Sequence, residues 1–220
     1  MEKYLAPTYF IDSDHPSIIE FSLKNSHGSH TSIETAVNLY YAVRDQIRYN
    51  PYSAGKTVEA MKASYILDQG QGYCVAKAVL LCACLRAVQI PARLGFADVK
   101  NHLNTQKLRQ AMGTDVFVYH GYTDIFLENQ WVKATPAFNL ELCQNFNVKP
   151  LEFDGTCDSV FHPLDNAGNK HMEYLKDHGT FADLPLQEIF EASVKAYPNF
   201  FKNSGMPMGD FHDEAFKENQ

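Results

Sequence analysis

The stretch GQGYCVAKAVLLCACLRAVQIPARLGF, residues 70–96, decides the fold. Gly70 and Gly72 permit a sharp backbone turn immediately before Cys74. After it, Val75, Ala78, Val79, Leu81, Cys82 and Leu85 make the segment apolar almost all round, with Lys77 and Arg86 as its only charges. A helix of that kind, predicted over 74–88, belongs at the centre of a core. Ile90 and Pro91 break it, and ARLGFADV reads as a strand. Cys74 then stands at or near a helix N-terminus. A thiol there is core packing, a metal ligand or a nucleophile; the positive end of the helix dipole favours the thiolate, so a depressed thiol pKa is expected.

Outward from this centre, Thr31 and Glu34 form a capping box. Ile33, Val37, Tyr40, Val43 and Ile47 follow at helical spacing, which predicts an amphipathic helix over 32–48 ended by Pro51. A short helical piece is expected over 58–67 and a surface helix in NTQKLRQAMGTD. The clearest strand pair is VFVYHGYTDIFL with QWVKATPAF, joined at Glu128 and Asn129. YLAPTYFI near the start looks strand-like. LELCQNF and LQEIFEASVKAY suit helices, residues 151–174 are turn-rich, and the last twenty residues read as a loosely held tail. A helical first half feeding a later sheet argues for an α+β fold. The expected organisation is an extension over 1–31, a core over 32–139, and an elaboration over 140–220 that either walls a cleft or covers a sheet edge.

The hairpin fixes candidate neighbours. With a two-residue turn Leu127 faces Gln130, and the same register carries His120 opposite Ala137. Thr135 and Asn139 become its same-face diagonal neighbours at roughly 7–8 Å. Asp124 falls opposite Lys133 and about 13 Å along the strand from His120, which suits a cross-strand ion pair better than chemistry.

Composition narrows the function. The 220 residues are 45% hydrophobic and 20% charged, and 13% aromatic, as a packed chain requires. Net charge is −7 without a Lys/Arg cluster, so no nucleic-acid partner is expected. No apolar run approaches a membrane span, and the first residues, MEKYLAPTYFIDSDHP, lack a leader pattern; a soluble cytoplasmic protein is expected. Five cysteines, an odd number, with Cys82 and Cys84 one residue apart, argue for reduced thiols, and nothing positions Cys143 against Cys157. His102, His162, His171, Asp154 and Asp158 fit no compact ligand spacing, so no metal is expected.

The segments 70–96 and HGYTDIFLENQWVKATPAFN together resemble the transglutaminase-like superfamily, whose papain-like core packs a cysteine-bearing helix on an antiparallel β-sheet. The pattern is Gly-x-Cys at a helix start, an RxxGIPAR-type exit into a strand, a histidine opening a strand, and a tryptophan with Asp-Pro in the next. Here RAVQIPAR carries Gln89 for the glycine, and the helix TSIETAVNLYYAVRDQIRYNP resembles the one that precedes the core; the resemblance spans roughly 32–139. It implies a cysteine protease or amidase, in which Cys74 is the nucleophile and His120 the general base. The substrate would be a peptide or protein amide, and no cofactor is called for. The family acid falls on Thr135. Asn139 could instead orient the imidazole, or efficient catalysis is lost. The Cys74 N–H and the side-chain amides of Gln71 or Gln69 are oxyanion candidates. Transfer to an amine would use the same residues, and a catalytically impaired binding module is the competing class. Oligomeric state is not legible.

Overall fold

The computed structural model of the chain describes residues 1–53, 57–102, 104–161, 164–199 and 209–218. At its centre lies a helix, α4, over Cys74–Ala87, in which every residue but Ala87 is buried. Helices α1 (Pro16–Asn25), α2 (Ser32–Gln46) and α3 (Ala63–Gln69) pack against it, as do strands β3 (Ala92–Asn101) and β4 (Val116–Leu127). An all-apolar surface is what permits contact on so many sides.

The two buried basic side chains of α4 serve the backbone. The Lys77 Nζ donates to the carbonyls of Arg44 (2.8 Å) and Ile47 (2.6 Å), capping the end of α2, while burial holds its pKa far below the ordinary value. Arg86 donates to the carbonyls of Ala92, Ala6 and Ala182, tying together three distant segments.

The Thr31 cap opens α2 as expected, with the Glu34 N–H on the Thr31 hydroxyl at 3.1 Å, while the Glu34 carboxylate accepts the His30 N–H at 2.6 Å in place of that of Thr31. The helix ends at Gln46 rather than 48, because Arg48–Tyr49 (β1) pairs in parallel with Gln71–Gly72 (β2) and the strand hydrogen bonds outbid two more helical residues. This two-stranded ribbon sets the approach to α4.

The main sheet is antiparallel, in the order β5-β4-β3-β6, with β5 over Gln130–Ala134 and β6 over Met172–Phe181. Glu128 and Asn129 take φ of 45° and 67°, the left-handed pair that a two-residue hairpin turn demands. Leu127 accordingly faces Gln130, and Asp124 faces Lys133.

Several expectations need correction. The ladder stops at Thr123–Ala134: the Thr135 N–H turns to the Ser159 carbonyl (3.1 Å), so Ala137 does not pair with His120, which pairs with Ala97 instead. Asp124 bonds Arg93 at 2.7 Å, not Lys133, because two guanidinium nitrogens reach its Oδ2 from β3. The N-terminal region forms a 3-10 turn over Glu2–Tyr4 and then α1, started by Pro16 behind a His15 cap, not a strand. The turn-rich stretch passes into β6. Within the final twenty residues, Phe211–Glu218 is a helix, α8, with Phe211, His212 and Ala215 buried; positions 201–208, 219 and 220 lie outside the described residues. Trp131 is half-buried, not core, with the Arg93 guanidinium 3.9 Å over its ring. The remaining helices are α5 (Gln106–Met112), α6 (Leu140–Asn145) and α7 (Leu186–Ala196). Among the described residues, no helix is long and apolar enough to cross a membrane.

Candidate active site

The turn before Cys74 has little room for side chains. Gly70 sits at φ +61°, and a Cβ on Gly72 would stand 2.9 Å from the Ala76 Cβ. Cys74 follows as the first residue of α4, only 6% exposed. Its sulfur receives the backbone N–H groups of Gly121, Val75 and Cys74 itself, which favour the thiolate. Burial outweighs them and pushes the thiol up to about 11. The expected low-pKa thiolate is therefore corrected: desolvation of a charge costs more than the two amides of the helix terminus and that of Gly121 return.

β4 is seated directly on this end of the helix. A Cβ at Gly121 would lie 2.9 Å from the Val75 Cα, and two residues on the Thr123 hydroxyl donates to the Ala78 carbonyl at 3.0 Å. His120 precedes Gly121, so its peptide adjoins the Cys74 sulfur. The His120 ring is 4% exposed and meets Phe161 edge-on at 5.2 Å, in a chain of rings running through Phe138 to Tyr49. With no carboxylate among the described residues to offset burial, His120 is pushed down to about 4. At neutral pH the pair is thiol and neutral imidazole. Burial raises the phenols of Tyr49, Tyr73, Tyr174 and Tyr197, and the charge a Cys74 thiolate would carry raises them further.

The remaining candidates are more scattered. The Thr135 hydroxyl is buried beside that of Tyr174, while the Asn139 Oδ1 accepts the Tyr49 N–H at 3.2 Å. Among the described residues, neither hydrogen bonds the His120 ring. Gln71 accepts the Asn50 amide at 3.0 Å through its Oε1, which leaves its NH₂ end as the donor end. Gln69 is exposed and turned to Asp68, so it does not join the site. His102 pairs with Glu173 at 2.6 Å, Asp154 caps a turn at Thr156, and Asp158 accepts the Lys133 N–H. His171 is buried against Phe161, and His162 lies outside the described residues. Among the described residues, no three metal-ligating side chains converge.

Sequence reasoning passed over Gly121, although a glycine directly after a strand histidine is a signal for close backbone approach. It also passed over Tyr49, Phe161 and Tyr174, which reach the site from distant segments and carry no local signature.

Residues 21–136 match the family described as the transglutaminase-like superfamily. Among curated proteins nothing matches. Two solved structures are similar: a protein of Cytophaga hutchinsonii provisionally named a cysteine protease, 15% identical, with TM-score 0.47 over 81% of this chain and 53% of that one, and a protein of Parabacteroides distasonis provisionally named a protease, 13% identical, with TM-score 0.40 over 58% and 26%. The chain thus spans about half the length of the first and about a quarter of the second.

Proposed function

The chain belongs to the transglutaminase-like superfamily, and from that premise we propose that it is a thiol-dependent acyl-transfer enzyme that hydrolyses peptide or carboxamide bonds. The observation that supports the reading is the close approach of the His120–Gly121 peptide to the first turn of α4, where the Gly121 N–H is directed to the Cys74 sulfur.

Because both groups are neutral at rest, proton transfer and attack are coupled. As the Cys74 Sγ bonds to the substrate carbonyl carbon, its proton passes to the His120 imidazole. The carbonyl electron pair moves onto oxygen, and the backbone N–H of Cys74 with the Gln71 amide offers donors for the oxyanion. Collapse expels the amine, which takes the proton from His120 and leaves a thioester. His120 then draws a proton from water, hydroxide adds to the thioester, and the carboxylic acid departs as the thiol is restored. Burial is consistent with this order, since a preformed thiolate and imidazolium would both be desolvated. Of the two orienters we favour Thr135: the Asn139 oxygen is committed to Tyr49, whereas the buried Thr135 hydroxyl makes no hydrogen bond among the described residues and keeps its lone pairs for an imidazole N–H. Residues 140–220 would wall the cleft.

One observation favours a second reading, a binding module that kept the fold. Among the described residues neither carboxylate nor amide engages His120, and Cys74 and His120 are 6% and 4% exposed.

Hydrolysis of internally quenched peptides by wild type and Cys74→Ala, with and without a fluorescent primary amine, separates these outcomes. Thiol-dependent cleavage without amine incorporation is expected; incorporation would make transamidation the reaction, and equal, background rates in both proteins would leave the binding module.

A further inference from the structure

We infer that Asp98 and His178 are positioning residues for His120, holding the bulge in β4 that decides which face of the sheet its ring occupies. The inference rests on the reading of His120 as the general base.

The ladder between β3 and β4 pairs Ala97 with His120 but Val99 with Phe117, so Val118 and Tyr119 stand against Asp98 alone. Such a bulge re-aims the side chains beyond it, because side chains alternate faces and an odd residue reverses the alternation. Were it ironed out, His120 would turn to the opposite face. The bulge is not an easy conformation: Tyr119 takes φ +52°, a left-handed backbone that a bulky residue holds only under constraint.

The constraint is visible. The Asp98 Oδ1 accepts the Tyr119 N–H at 3.0 Å and also the Nε2 of His178 at 2.7 Å. The His178 ring stacks on Tyr119, centroids 3.9 Å apart and planes 20° from parallel. The other N–H freed by the bulge, that of Val118, goes to the Tyr197 hydroxyl at 2.6 Å. His178 is itself an extra residue: β3 pairs Phe96 with Gly179 and Ala97 with Asp177, leaving it unpaired, with Gly179 at φ +80°. The neighbours of β3 on both sides are thus distorted at the same level, and Asp98 bridges the two distortions one pair away from Ala97–His120. A single carboxylate binding two irregular strands beside the base is a latch, and its consequence is the aim of the imidazole.

The test is the pH dependence of Cys74 alkylation by iodoacetamide, read by peptide mass spectrometry, in wild type, His120→Ala, Asp98→Ala, Asp98→Asn, His178→Ala and the Asp98→Ala/His120→Ala double variant. With His120 as base to a neutral thiol, the wild-type rate is flat from about pH 5 to 8; without it, only thiolate reacts and the rate climbs about tenfold per pH unit. Asp98→Ala is expected to convert the flat profile to the sloped one, and the double variant to match His120→Ala alone, since both changes act through one group. Asp98→Asn should restore the flat profile, because an amide oxygen accepts both N–H groups. His178→Ala, at the sheet edge, should move in the same direction and decides the matter if Asp98→Ala does not fold. A sloped His120→Ala profile beside wild-type profiles for the Asp98 and His178 variants would overturn the positioning inference and leave the base reading standing. A flat profile in His120→Ala would overturn both.

Discussion

At the scale of single residues, Cys74 and His120 show how cover by the fold reverses the charge states that local geometry favours. The amides of Gly121, Val75 and Cys74 pull the thiol down, yet burial leaves it at about 11; the imidazole, buried without a carboxylate, lies at about 4. These shifts are linked to stability. His120 has a folded pKa below its unfolded value near 6.5, so unfolding takes up a proton as pH falls from 6.5 to 4, and stability present above that window is lost through it, by about 3 kcal/mol. Cys74 has the opposite sign, losing stability as pH rises from 9 toward 11. Urea unfolding across pH should therefore show a shallower acid limb in His120→Gln than in wild type; superimposable acid limbs would show that the imidazole is not held neutral. The identities of both residues were legible in the sequence, from the glycine turn, the apolar helix and the strand histidine. Their protonation was not, because the rings of Tyr49, Phe161 and Tyr174 that exclude water come from segments far along the chain.

At the scale of elements, what was legible followed from strong local chemistry. Glu128-Asn129 between alternating runs fixed the hairpin and its register, and the charge-poor run after Cys74 fixed the central helix. β6 escaped notice for a physical reason: an edge strand needs only one buried flank, and MEYLKDHGTF is largely exposed and rich in charge. The exact placement of β4 on α4 was also hidden, since it depends on the missing side chain of Gly121. That placement is testable. In Gly121→Ala the new methyl meets the Val75 Cα, part of a backbone that cannot yield without shifting the first turn of α4. The urea midpoint should fall by the equivalent of about 1–3 kcal/mol, with Cys74 reactivity disturbed as well; an unchanged midpoint would mean the strand is not seated on the helix end.

At the scale of the molecule, the candidate site is assembled from the whole chain. The segments beyond residue 140 return over β1: Phe211 of α8 meets Tyr49 at 5.8 Å, the His212 Nε2 bonds the Tyr49 carbonyl at 3.1 Å, and Glu214 accepts the Tyr52 hydroxyl at 2.6 Å. FHDEAFKE is too short and polar to announce a docked helix, since its few apolar positions gain meaning only against Tyr49, Tyr52 and Phe146. The α+β class was legible because it follows from the order of patterns, whereas the closure of the site was not, because it is tertiary throughout. The central claim is that Cys74 forms an acyl bond with substrate. Its most direct test is to mix the protein with a peptidyl 4-nitrophenyl ester, quench in acid within the first turnovers, and weigh the peptide bearing Cys74. The account predicts a mass increase equal to the peptidyl acyl group on Cys74, absent from Cys74→Ala and formed more slowly in His120→Ala; release of nitrophenol at the same rate in Cys74→Ala, with no adduct on the wild-type peptide, would contradict it.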